Sequence, residues 1–175
     1  MKNSNKLSSA FGYIALTSGS IWFGSYLSRL LITFQMFEET ELVLKNYITD
    51  KNLSAIFQTI FPLVNLSFYS YLVMVISFTL FLIFSKLKFK QNGWLLIITL
   101  IIYLTFPLES ILLITDYKLI LLFLQEQFGS EQILQFTIER INKLNGFPII
   151  MLLSYFTIPY FLIFKPFTVA SKDEN

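Results

Sequence analysis

The sequence predicts an all-α integral membrane protein with four transmembrane helices, N-in and C-in, and an amphipathic helix in the outer loop between spans three and four. Two observations predict the membrane. Apolar residues make up 55% of the chain and charged ones 14%, with a mean hydropathy of +0.65, beyond the range of soluble globular domains. The apolar residues also gather into stretches near 10–36, 56–84, 94–115 and 147–164 that approach or exceed the roughly 20 helical residues needed to cross a bilayer. A third observation, the placement of the lysines, sets the orientation. The whole chain, 1–175, reads as a single transmembrane domain without internal repeat, low-complexity tract or linker.

The first stretch follows the polar leader Met1-Lys2-Asn3-Ser4-Asn5-Lys6. A basic start before an apolar run is also the mark of a signal peptide. The run is too long for one, carries Arg29 and lacks a small-residue cleavage site, so it is expected to be a retained span. Along it Ser20, Gly24 and Ser28 recur every fourth residue, a helix-packing stripe that suits either a neighbouring span or a partner subunit, and Ala15 and Gly19 repeat the spacing on an adjacent face.

Lys2, Lys6, Lys86, Lys88, Lys90, Lys165 and Lys172 fall in three short segments, which the positive-inside rule puts on the cytoplasmic side. The turn from Ser85 to Gly93 is the clearest anchor, with Asn92-Gly93 as turn chemistry and Trp94 at the membrane interface. The outer loops, 37–55 and 116–146, hold Lys45, Lys51, Lys118, Arg140 and Lys143 diluted among acidic residues, Asp116 included.

Within the second outer loop, Ile133, Leu134, Thr137, Ile138, Ile141 and Leu144 share one side of a helical wheel, opposite Gln132, Gln135, Glu139, Asn142 and Lys143. Ser130 is the expected cap, Glu139 and Lys143 an i,i+4 pair, and Asn145-Gly146 the stop before Pro148. The preceding run Leu119–Leu124 is too short to span and is expected in the interface or under this helix, with Gly129-Ser130 as the bend between them.

Arg29 and Glu109 are the ionisable groups inside the predicted spans. Charges at membrane depth are costly, so both are candidate functional residues. Both lie roughly 10–12 Å below the outer boundary at 1.5 Å per residue, and an ion pair between them is expected. The pair reads either as a static fastener of spans one and three or as a site at which Glu109 exchanges protons or contacts a ligand beside a helix loosened by Pro107. A third reading leaves Arg29 unpaired and reaching for headgroups. Asn65, Ser154 and Tyr155 fall at a similar depth and would complete a polar layer, with Pro62 and Pro159 as kinks nearby.

The chain contains no cysteine and no histidine, which removes disulfides, thiol nucleophiles, most zinc sites and every Ser-His-Asp arrangement. No catalytic, cofactor-binding or metal site is read. The run Glu38-Glu39-Thr40-Glu41 is taken as a solvated face rather than a calcium site. The net charge of +2 suggests no nucleic-acid partner.

The expected partners are the lipid bilayer and other membrane-protein subunits. The expected location is a cytoplasmic-type inner membrane, an organellar inner membrane being the other option. The expected function is a non-catalytic membrane-embedded subunit or scaffold of a larger complex. The alternatives are a small transport or ion-translocating component using Arg29, Asn65 and Glu109, and an intramembrane lipid enzyme with Glu109 or Asp116 as acid or base.

Overall fold

A computed structural model describes residues 6–38, 42–125, 129–143 and 146–169, and about four fifths of the described residues are helical. The helices are α1 (Lys6–Gln35), α2 (Asp50–Phe84), α3 (Gly93–Leu124), α4 (Ser130–Asn142), α5 (Phe147–Phe156) and α6 (Ile158–Phe164). Three helical stretches are long and apolar enough to cross a membrane: Lys51–Phe84 in α2, Gly93–Leu124 in α3, and Phe147–Phe164, which joins α5 and α6. The chain is therefore a multi-pass membrane protein. The first predicted span, α1, is long enough at 30 residues but less apolar than the other three, because serines, glycines and Arg29 interrupt it.

The small residues of α1 explain its packing. Its buried face carries Ser8, Ala15, Ser18, Ser25 and Thr33 between Trp22, Tyr26 and Arg29, and it lies along α2 over most of its length. A Cβ on Gly12 would stand 3.1 Å from the Phe81 ring, and one on Gly19 would stand 3.1 Å from the Met74 sulfur. Two hydroxyls of this face bond back to their own helix, Ser18 to the Ile14 carbonyl at 2.7 Å and Ser25 to the Trp22 carbonyl at 3.0 Å. The packing stripe read from the sequence is turned the other way. Ser20, Gly24 and Ser28 are exposed, and nothing lies within 4 Å of a Cβ on Gly24.

Two helices outrun their predicted spans. α2 starts at Asp50 rather than near 56, after Asn52 Oδ1 accepts the Thr49 N–H at 2.8 Å in a capping turn. α3 continues through Pro107 and past 115 to Leu124, so the Leu119–Leu124 run is its last part and not a separate interfacial segment. Leu119 and Ile120 are buried against Ile133 of α4, as the packing-under alternative expected. The last predicted span breaks at Thr157, two residues before Pro159, which has no N–H to continue the helical ladder.

α4 forms where its amphipathic pattern predicts, with Ile133 buried and Glu131, Gln132, Gln135, Glu139 and Asn142 exposed. Its cap is the Gly129 carbonyl, which accepts the Gln132 and Ile133 N–H groups; the Ser130 side chain makes no cap bond. Leu144 and Asn145 lie outside the described residues, as do Lys2, Lys172, Glu39, Thr40, Glu41 and both chain ends.

One end of the bundle is tied across the chain. Phe11 of α1 stacks on Phe84 of α2 at 5.7 Å, and Gly93 N–H donates to the Phe167 carbonyl at 3.1 Å. Val169 N–H in turn donates to the Gln91 carbonyl at 3.0 Å. Gly93 opens α3 directly after a turn in which the Gln91 and Asn92 N–H groups donate to the Lys88 carbonyl, and its φ is not positive. Its role is space, because a Cβ there would stand 2.8 Å from the Phe167 Cβ. Lys6, Lys86, Lys88, Lys90 and Lys165 thus belong to this end. A core around Trp22, Tyr71, Met74, Leu95 and Ile98 fills the neighbouring half of the bundle, and a second around Phe37, Phe57, Val64, Leu119 and Ile133 fills the other.

Candidate functional site

α1 presents Trp22, Tyr26, Arg29 and Thr33 on one face at spacings of four, three and four, and all four are buried. α3 presents Ile102, Thr105, Glu109, Leu112 and Asp116 in the same way. The amphipathic α4 adds Arg140, seven residues after Ile133 and so on its buried face. Where these three faces meet, four charged side chains lie between the two apolar cores: Arg29 (5% exposed), Glu109 (2%), Asp116 (2%) and Arg140 (8%).

Asp116 is the centre of this group. Its Oδ1 accepts from Arg29 Nη2 at 2.7 Å and from Arg140 Nε at 3.0 Å, so a single carboxylate oxygen joins α1, α3 and α4. Burial works against the charge on Arg140, and the Asp116 carboxylate, Tyr26 and Glu109 together outweigh that cost and hold the guanidinium pKa above its ordinary value. The guanidinium carbon of Arg140 also lies 5.1 Å from the centre of the Tyr26 ring, within cation–π range. Nearby, Lys143 Nζ donates to Thr115 Oγ1 at 3.1 Å and to Glu139 Oε1 at 2.9 Å, the latter being the i,i+4 pair expected from the sequence.

The ion pair expected from the sequence is therefore redistributed. Arg29 is paired with Asp116, not with Glu109, because α3 continues beyond 115 and carries Asp116 two turns past Glu109 onto the same buried face. Glu109 remains in the cluster, within electrostatic reach of Arg140, Asp116 and Arg29. Its Oε1 and Arg29 Nη1 are buried without a hydrogen-bond partner among the described residues.

The rest of the predicted polar layer divides. Tyr155 is buried and shares a hydrogen bond of 3.0 Å with Thr105, and its ring packs 4.6 Å from Trp22. Ser154 bonds back to the Met151 carbonyl at 2.6 Å and takes no part in the cluster. Asn65 is half-buried on α2, where Val64 and Ser67 hold the inward positions. Trp22, Tyr26 and Tyr71 form, with Tyr155, an aromatic layer next to the charges that sequence reasoning did not single out.

A small space lies beside the charged centre, against Arg29 alone of its four charged residues. A cavity of about 10 Å³ touches Arg29 and is otherwise lined by Thr33, Thr137 and apolar side chains such as Phe57 and Leu119. That is about the room taken by one water molecule. Among the described residues no three acidic side chains converge as metal ligands. No protein-family model matches the chain, and no curated protein or solved structure proves similar to it, so its role has to be argued from this charged centre and the surfaces around it.

Proposed function

We propose that this chain is a non-catalytic, membrane-embedded subunit of a larger membrane protein assembly. The observation that carries the proposal is the use of the buried charges. Asp116 ties α1 and α4 to α3 through two guanidiniums, and all four charged side chains of the centre are buried. A group that translocates a solute or attacks a lipid needs access to it, whereas this arrangement spends its charge on holding helices together.

The outer surface of α1 supports an assembly role. Ser20, Gly24 and Ser28 are exposed, Gly24 with nothing of the chain near it, and small residues at this spacing let the backbone of another transmembrane helix approach closely. In this reading α1 is a fourth span. Its 30 residues extend about 45 Å, more than the roughly 30 Å hydrocarbon core, and its lengthwise contact with α2 compensates for its weaker hydropathy. The lysine-bearing end, which holds the start of α1, the 85–92 turn and the 165–169 segment, then faces the cytoplasm of a cytoplasmic-type inner membrane.

Purification in gentle detergent tests the proposal. Defined partner chains should co-purify in a fixed ratio, and Gly24→Leu should release them while leaving this chain folded, since nothing in the chain lies near that position. A chain that elutes alone from native membranes, with Gly24→Leu indistinguishable from wild type, would overturn it.

A further inference from the structure

At the lysine-bearing end, a cavity of about 480 Å³ enters the bundle between α1, α2, α3 and the α5–α6 segment. Its walls are almost wholly apolar, built from residues such as Met74, Phe78, Leu95, Ile98 and Leu162. The glycines at 12 and 19 keep the α1 wall low. Leu16 and Phe156, both more than half exposed, stand on its rim, so the cavity opens sideways between α1 and α5 toward the bilayer.

Its length and lining select an occupant. The α1 residues that line it run from Gly12 to Phe23, about 16 Å at 1.5 Å per residue, or roughly half the ~30 Å hydrocarbon core and thus one leaflet deep. A slot one leaflet deep, walled almost wholly by apolar side chains and open toward the bilayer, matches the length and chemistry of a single polymethylene chain.

The mouth is polar in a specific way. Trp94, 7% exposed, lines the cavity at its lysine-bearing end, and its indole Nε1 is buried with no hydrogen-bond partner among the described residues. Lys165 Nζ lies 5.6 Å from the centre of the same ring, held there by the backbone pairing of the 167–169 segment with Gln91 and Gly93. Lys165, with Lys6, Lys86, Lys88 and Lys90 at the same end of the bundle, gives this end a positive charge complementary to the phosphate of an anionic lipid headgroup.

We propose that this cavity is a binding site for one acyl chain of an anionic glycerophospholipid, with Lys165 meeting its phosphate. The site is separate from the charged centre and does not depend on the subunit reading. It requires the chain to lie in a membrane with this end at a headgroup layer.

Quenching of tryptophan fluorescence by tail-brominated lipid tests it. The chain has two tryptophans, so Trp22→Phe leaves Trp94 as the reporter. The variant is reconstituted in phosphatidylcholine vesicles with an increasing fraction of dibrominated phosphatidylglycerol. The expected result is a steep quenching phase that saturates at one lipid per chain, several-fold below the fraction that random contact requires. Lys165→Gln should reduce the preference for the anionic over the zwitterionic brominated lipid several-fold. Ile98→Trp, read by native mass spectrometry, should lose the one retained phospholipid that the parent chain keeps. Quenching that rises only in proportion to bulk lipid would overturn the site, whether or not the filled variant folds. A lipid preference unchanged by Lys165→Gln would overturn the headgroup placement.

Discussion

Arg29 Nη2 donates to Asp116 Oδ1 at 2.7 Å, and this contact binds α1, the least apolar of the long helices, to α3. The same oxygen takes Arg140 from α4, so removing one carboxylate strands two buried guanidiniums.

Asp116→Asn should therefore be the most damaging single charge removal in the chain, costing roughly 3–5 kcal/mol by analogy with buried pairs that lose one partner. Glu109→Gln should be clearly milder, since Glu109 Oε1 has no hydrogen bond to lose. Unfolding of both variants in the same detergent checks the order.

The docking of α4 gives a second prediction. Arg140 and Lys143 supply its polar bonds to α3, and Ile133 its fully buried apolar contact. In the wild type, amides across 133–141 should exchange slowly with solvent. Arg140→Met should accelerate them selectively while α2 and the first part of α3 remain protected.

The membrane character, the amphipathic helix and the Glu139–Lys143 pair were legible in the sequence because each rests on local periodicity or spacing. Asp116 and Arg140 were not, since hydropathy ends a span at the first charge and treats a loop arginine as solvated. Yet both are on the right faces. Asp116 lies seven residues beyond Glu109, and Arg140 seven beyond Ile133, so extending each helical wheel by two turns exposes them as inward-facing. The outward turn of Ser20, Gly24 and Ser28 was not readable, because α1 carries a second small-residue face, with Gly12, Ala15 and Gly19, that packs against α2.

Gly93→Ala should loosen the lysine-bearing end. The added Cβ meets the Phe167 Cβ at 2.8 Å, and relief requires the 165–169 segment to move and give up the Gly93–Phe167 hydrogen bond, a cost of about 1–3 kcal/mol. Faster proteolysis after Lys165 is the expected readout, whereas Gly24→Ala should leave the isolated chain unchanged.

Cysteine labelling checks the orientation, unobscured by any native thiol. Lys88→Cys should react only from the cytoplasmic side and Asn142→Cys only from the opposite one. Both sites reacting from the same side would contradict the four-span arrangement.

The most direct test of the charged centre as a fastening is a double-mutant cycle on Arg29→Met and Asp116→Leu, read as folded fraction in detergent and as partner retention. The account predicts that each single change is severe, that the double change is milder than their sum by about 0.5–3 kcal/mol, and that the neutral pair still assembles with its partners. It also predicts a smaller coupling when Glu109→Gln replaces the Asp116 change. Additive losses for Arg29 and Asp116, or a double variant that assembles fully yet leaves cells without the protein's function, would contradict it.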